Sequence, residues 1–429
     1  MIYHNMHSHI FTMNNAPEKF LSLYMPAVAA NAIDSLTSTD GGAKAMEKLL
    51  NVLGGDSGKR YACFLHVGKR AGQMDVFRDL LQQYPDASMK ITALTLFMEE
   101  LGVERSVSGY EGQLEEIINV KRRYPERLLI FLSVDPRWKT SGQELLTTVK
   151  TYFDTQIKVA ESQPAINAFT GLKLYPSTGF YAFDEKLKPT FEWAAQNNVP
   201  ILTHCSYLGG IFNNNRDYLN ASLRAWNPYL QSYHAAPKPG HKLESKFFRR
   251  LINTQKLGNN QNYCSYFLEP ESYRAMLQYF KDQGTPLKLC FAHFGGSEHM
   301  MLQNTINNGG KNAADDYYGV NNTVNWTAQI QQLMLDFDSV YTDVSYSLTD
   351  HKTHDFIFSE LKKPYGDRIL FGTDFFMTER VAKEKDTFAI FRRKALEYSL
   401  VSKQGVASNA WDIMASANVE KYLNSKYYL

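Results

Sequence analysis

The chain has no apolar run near the roughly 18 residues that a membrane-spanning helix requires, and its first residues lack the basic-then-apolar layout of a secretory signal. It also has little excess charge. Lys plus Arg number 46 and Asp plus Glu 44, a formal net charge of +2, so no overall field draws nucleic acid or an anionic membrane. Cysteine is scarce: the four residues Cys63, Cys205, Cys264 and Cys290 show no CxxC and no framework spacing in 429 residues. That excludes a disulfide scaffold and predicts reduced, buried thiols in a cytoplasmic protein. Low-complexity tracts and runs of like charge are missing too, which excludes a disordered region. What remains is a chain with 44% hydrophobic residues, long enough to bury one large core. The expectation is a single domain over 1–429 that acts on a small molecule, with neither nucleic acid nor membrane as partner; a homo-oligomer is compatible with it.

Apolar, β-branched runs recur along the chain: 2–11 (IYHNMHSHIF), 91–97 (ITALTLF), 128–134 (LLIFLSV), 169–175 (FTGLKLY), 200–206 (PILTHCS), 288–296 (KLCFAHFGG), 340–346 (VYTDVSY) and 368–376 (RILFGTDFF). Segments of helical period lie between them, among them 111–124, 143–162, 189–198 and 326–337. Strand then helix, eight times over, predicts βα units around a parallel sheet covered on both faces. Eight repeats favour an α/β fold of the (β/α)8 TIM-barrel type over an open sheet. Two stretches are too long for ordinary loops. We expect a helical insertion over 17–88 after strand 1, containing AKAMEKLLNVLGG and MDVFRDLLQQY around a short ACFLHVG strand. A second insertion of loops and short helices is expected over 207–270 after strand 5. Both would lie on the loop face, where they could roof a pocket.

In such a barrel the active site forms at the carboxyl ends of the strands. Those ends carry His7 and His9 on strand 1, Lys173 on strand 4, His204 on strand 5, His293 on strand 6 and Asp374 on strand 8. Residues two apart on a strand share a face, so His7 and His9 point together, with Ser8 turned away and His4 and Met6 assigned to the opposite side. Each of these residues taken singly reads as a hydrogen-bonded core residue. Several imidazoles and one carboxylate converging on one face is instead the ligand set of zinc or a similar divalent ion. Lys173 is anomalous, because a buried ammonium is costly unless it is neutral, paired or modified. Arg137, after the third strand, and Tyr175, after Lys173, stand at the ends where a substrate would be met. Arg137 could grip a carboxylate through two parallel hydrogen bonds or equally form a surface ion pair.

The set HSH, GLKLYP, PILTHCS, CFAHFGG and ILFGTDFF, with YTDVSY and the terminal ASANVEKYL, resembles the amidohydrolase superfamily. Its likeness is to the amidohydrolase-related branch that includes aminocarboxymuconate semialdehyde decarboxylase. The resemblance covers the barrel and leaves the two insertions unaccounted for. It implies one divalent ion, zinc first and manganese next, held by His7, His9, His204 and Asp374 with a water completing the site. Asp374 would shuttle a proton and His293 would act as general base or polarise the substrate. GLKLYP is also similar to the strand-four motif of dihydroorotase, whose lysine is carboxylated and bridges two metals; in that version Lys173, His204 and His293 hold a second ion.

The activity expected is hydrolysis of a C–N or C–O bond in a small carboxylated or cyclic compound. Decarboxylation or hydration on the same site is the alternative. A TatD-like nuclease also begins with HxH and ends with a strand-eight Asp, but it carries Glu where this chain has Lys173 and would need a basic surface. A non-catalytic barrel is the remaining alternative.

Overall fold

The computed structural model describes residues 1–17, 70–85, 88–159, 164–206, 210–235, 264–309, 325–401 and 407–428. Eight strands form one sheet: β1 (His4–Ser8), β2 (Lys90–Leu94), β3 (Leu128–Ser133), β4 (Gly171–Leu174), β5 (Ile201–Thr203), β6 (Leu289–Phe291), β7 (Val340–Asp343) and β8 (Ile369–Leu370). Every neighbouring pair from β1 to β8 is parallel and in sequence order. The last strand returns to the first. Ser8 bridges Phe375 in parallel, Met6 N donates to Phe371 O at 3.0 Å and Asp374 N to His7 O at 2.8 Å. The fold is a TIM barrel.

Helices cover the outside: α1 (Gln73–Gln82), α2 (Gly109–Arg123), α3 (Gly142–Phe153), α4 (Lys188–Gln196), α5 (Arg274–Asp282), α6 (Ser297–Asn307), α7 (Trp326–Asp336), α8 (His354–Glu360) and α9 (Glu384–Glu397), while α10 (Asn418–Leu423) lies at one end of the barrel. Each of the first three lays an apolar stripe on the sheet: Val76, Phe77 and Leu80 of α1, Leu114, Ile117 and Val120 of α2, Leu145, Val149 and Phe153 of α3. The i, i+3, i+4 spacing follows from 3.6 residues per turn, and each such side chain contributes roughly 1.5–3 kcal/mol when fully buried. Ser141 caps α3 by accepting from Glu144 N. The helical period read over 143–162 overshoots, because α3 ends at Phe153 and Gln156–Ile157 pairs antiparallel with Ile166–Asn167. Tertiary pairing there overrides local propensity.

The lumen has two levels. Its amino-terminal half is apolar, with Met6, Leu129, Phe131, Leu202, Cys290, Tyr341 and Leu370 packed against Val419, Tyr422 and Leu423 of α10, which plugs that end. Polar residues gather at the carboxyl ends above.

Strand β1 departs from simple alternation. His4 pairs with Lys90 and Asn5 with Ile91, but Ser8 pairs with Ala93, so β1 spends one residue more than β2 between those points. Such a bulge re-aims the side chains after it. Met6 therefore belongs to the lumen cluster, not to the face opposite His7 as alternation predicts. His4 stays out of the site for a different reason: its Nε2 lies 2.9 Å from Glu420 Oε1 at the plugged end.

Most of the first expected insertion, including AKAMEKLLNVLGG, ACFLHVG and Cys63, lies outside the described residues, as do 207–209 and 236–263 of the second. Of the first stretch α1 is described. Of the second, helix Arg216–Ser222 and the hairpin of Arg224–Asn227 with Ser232–Ala235 are described. Cys205, Cys264 and Cys290 are free and buried. Among the described residues no helix is long and apolar enough to cross a membrane.

Candidate metal centre

At the carboxyl ends of β1 and β8 the side chains of His7, His9 and Asp374 converge. His7 Nε2 and His9 Nε2 each lie 3.4 Å from Asp374 Oδ1, and ligand atoms of the three residues fall within 4.8 Å of one another. Sequence spacing alone places the two imidazoles on one face; only the closure of β8 onto β1 brings the carboxylate between them. Gly372 makes the room, since a Cβ there would stand 2.8 Å from His7 Cβ.

The opposite nitrogens are committed elsewhere. His9 Nδ1 is 3.2 Å from Leu94 O, an acceptor only, so Nδ1 carries the proton. His7 Nδ1 is 3.0 Å from Asp343 Oδ2 and 3.0 Å from Ser345 Oγ, which gives it the same tautomer. Both Nε2 lone pairs then face a carboxylate oxygen, and His7 Nε2 has no hydrogen-bond partner although the ring is fully buried. Three electron-rich atoms turned toward one point repel each other unless a cation lies among them. The residues fit a divalent ion.

Electrostatics agree with neutral imidazoles. Burial lowers the pKa of His7, with Asp343 opposing. Burial and then Lys173 bring His9 down to about 3, and burial brings His293 down to about 4 against the pull of Asp374. Asp374 is raised above its ordinary value by burial, with His7 and His293 acting the other way. Asp343 is held well below the carboxylate range: burial opposes ionisation, but His7, His293 and Ser345 outweigh it.

Asp343 was not singled out from the sequence, yet it organises the site. Its Oδ2 faces His7, and its Oδ1 accepts from His293 N at 3.0 Å, from Ser345 N at 2.9 Å and from Ser345 Oγ. The signal was present in VYTDVSY, an aspartate at the end of a buried strand, the same pattern that picks out Asp374. The bonded amides lie where the backbone is forced. His293 (φ 65°), Phe294 (φ 49°), Tyr346 (φ 57°) and Asp374 (φ 67°) all occupy positive φ just past β6, β7 and β8, a clustering typical of functional sites.

His204 and His293 form a second arm. His293 Nε2 lies 3.1 Å from His204 Nδ1, and the His204 ring stacks on Tyr175 at 4.5 Å. The structure thus brings His7, His9 and Asp374 together directly and reaches His204 through His293. Gly210, at φ 99°, runs against this arm, and a Cβ on it would stand 2.8 Å from His204 Nε2 and 2.3 Å from the Tyr175 hydroxyl. That hydroxyl accepts from Ile211 N at 3.0 Å.

Lys173 is fully buried in the lumen, and its Nζ has no hydrogen-bond partner. The Tyr175 ring lies 5.5 Å away. Burial lowers its pKa to about 8, with Asp343 and Asp374 pulling upward. Arg137 is placed differently. Its guanidinium donates to both oxygens of Asp135, to Glu100 O, and to Thr178 O and Oγ1. All five N–H donors are used within the protein, so the side chain ties three loops together and keeps none for a carboxylate.

The amidohydrolase family model matches residues 63–408, a span that contains Lys173, His204, His293, Asp343 and Asp374 and begins after β1. The comparison with curated proteins found no relative. Among solved structures, the chain is similar to 5-carboxyvanillate decarboxylase from Sphingomonas paucimobilis (11% identity, 99% of each chain, TM-score 0.48). It is also similar to 4-oxalomesaconate hydratase from Rhodopseudomonas palustris (12% identity, 99% of this chain and 95% of that one, TM-score 0.43). An uncharacterised TIM-barrel protein from Bordetella bronchiseptica matches at 11% identity over 99% of this chain and 98% of that one (TM-score 0.47). The family match spans most of the sequence, and the chain belongs to the amidohydrolase family of enzymes.

Proposed function

We propose that this enzyme is a metal-dependent hydrolase acting on a C–N or C–O bond of a small carboxylated or cyclic substrate. The observation that carries the reading is the meeting of two imidazole lone pairs and Asp374 Oδ1 at 3.4 Å, with both Nδ1 atoms tied off on acceptors. A divalent ion, when bound, supplies a Lewis acid that polarises a substrate oxygen and draws the pKa of coordinated water toward neutrality. Nitrogen-rich donors favour zinc, and manganese remains compatible with the carboxylate. His7, His9 and Asp374 would hold the ion, with His204 as the fourth donor.

The remaining chemistry belongs to the chain's own residues. Asp374, raised by burial, can accept a proton during attack and return it to the leaving group. His293, its pKa lowered by burial, can take up a proton relayed through His204, whose Nδ1 its Nε2 faces at 3.1 Å. Lys173 offers a charge without a hydrogen-bond partner in the lumen, which supports an anionic group on the substrate. One ion is favoured; carboxylation of Lys173 would make room for two.

Elemental analysis of protein purified without chelator tests the reading, with about one divalent ion per chain expected. Finding no metal, and no uptake of added zinc or manganese, overturns it. Turnover of lactones, cyclic amides and carboxylated aromatics is the next measurement. Hydrolysis leaves products that together carry the elements of water, whereas decarboxylation releases carbon dioxide, so product analysis separates the two.

A further inference from the structure

We infer that Ser345 is a positioning residue whose single hydroxyl, accepting from both His7 and His293, joins Asp343 in holding the two rings in one tautomeric arrangement. The inference rests on the metal-dependent reading above for its purpose, but not for its geometry.

Ser345 Oγ lies 3.0 Å from His7 Nδ1 and 2.9 Å from His293 Nδ1. The hydroxyl has one proton, and the acceptor-only partner for it is Asp343 Oδ1, to which it donates. The oxygen therefore meets both imidazoles as an acceptor, and both Nδ1 atoms must carry their protons. Secondary acceptors point the same way: Asp343 Oδ2 is 3.0 Å from His7 Nδ1, and Ser345 O is 3.0 Å from His293 Nδ1. The two rings lie 4.9 Å apart, and all three side chains are buried, so no bulk water can substitute for the hydroxyl.

That arrangement determines what each ring does on its far side. His7 presents the Nε2 lone pair to the Asp374 corner, as a metal ligand must. His293 presents an Nε2 lone pair to His204 Nδ1 at 3.1 Å, so His204 Nδ1 is the donor in that contact. The hydroxyl at position 345, together with Asp343 Oδ2 and Ser345 O, thus sets the hydrogen-bond direction along three successive histidines. An alanine there would leave the two Nδ1 protons on Asp343 Oδ2 and Ser345 O alone. Asp343 Oδ1 would lose one donor, and its carboxylate would be freer to turn.

Nitrogen-15 NMR of imidazole-labelled protein, prepared with chelator, reads the tautomers directly, with signals assigned from single histidine variants. In the wild type both His7 and His293 should be Nδ1-protonated; finding either as the Nε2-protonated tautomer overturns the inference without any change to residue 345. In Ser345→Ala, where Asp343 Oδ2 and Ser345 O still accept the two Nδ1 protons, both Nδ1 signals should shift with the loss of the hydroxyl, and zinc affinity, titrated with zinc alone, should fall by ~10-fold or more. Unshifted Nδ1 signals with a zinc Kd within about twofold of wild type would also overturn it. Should the alanine variant fail to fold, Ser345→Gly is read the same way, since it too removes the hydroxyl and adds no group that binds zinc. Absence of zinc uptake by the wild type counts against the metal-dependent reading and leaves the tautomer test intact.

Discussion

Asp343 Oδ2 on β7 and His7 Nδ1 on β1 stand 3.0 Å apart, reaching past the intervening strand β8. The contact gives His7 its tautomer, and a neutral asparagine could present its amide donor there instead of an acceptor. Asp343→Asn is therefore expected to weaken metal binding by ~10–100-fold. It should also destabilise the fold by about 1–3 kcal/mol through unsatisfied buried groups, measured by metal titration and thermal unfolding. Affinity within twofold of wild type would show that the carboxylate is not orienting the ring.

Asp374 and His293 separate ligand from proton acceptor. Asp374→Asn and His204→Ala should lose metal and turnover together. His293→Asn should keep one ion while kcat falls by ~10²–10⁴-fold, the usual contribution of a general acid or base. If His293→Asn halves a content of two ions, the site is binuclear and Lys173 is the bridging candidate. Metal content and steady-state rates on the same preparations decide between them.

Gly372 is constrained by volume. A methyl group there meets His7 Cβ at 2.8 Å, with the backbone of β1 held by its ladder. Gly372→Ala should cost about 1–3 kcal/mol of stability and reduce metal occupancy, because the displaced atom belongs to a ligand. Loss of stability with full metal occupancy would place the strain elsewhere.

Arg137 gives the opposite test. With its donors spent on Asp135, Glu100 and Thr178, Arg137→Lys should lower the melting temperature, since a lysine cannot reproduce the planar fork. A raised KM with an unchanged melting temperature would instead return Arg137 to the substrate.

The depressed histidines make stability fall with acid. His9 at about 3 and His293 at about 4, against about 6.5 unfolded, bind fewer protons in the folded chain than in the unfolded one between those values. Their contribution is thus fully present above pH ~6.5 and is lost as pH falls toward 4, on the order of 3 kcal/mol for His293 alone. The metal-free protein should lose melting temperature over that interval, and His293→Asn should flatten part of the decline. A melting temperature independent of pH from 7 to 4 would contradict the buried, neutral assignment.

The eight strands and their order can be read from the residue pattern, because each is a short β-branched run bounded by helical period, and periodicity is a local property. The same pattern also marked His7, His9, His204, His293, Lys173 and Asp374 as strand-end residues. Three things were decided only in three dimensions. The bulge in β1 sets which residues face the lumen, and a bulge is a mismatch between two strands that neither sequence carries alone. Asp343 and Ser345 became the hub because the closing of the barrel carries β7 within hydrogen-bond reach of β1. The donors of Arg137 are taken up by Asp135, two residues away, and by Glu100 and Thr178, 37 and 41 residues away in either direction, and no local pattern encodes the two distant partners.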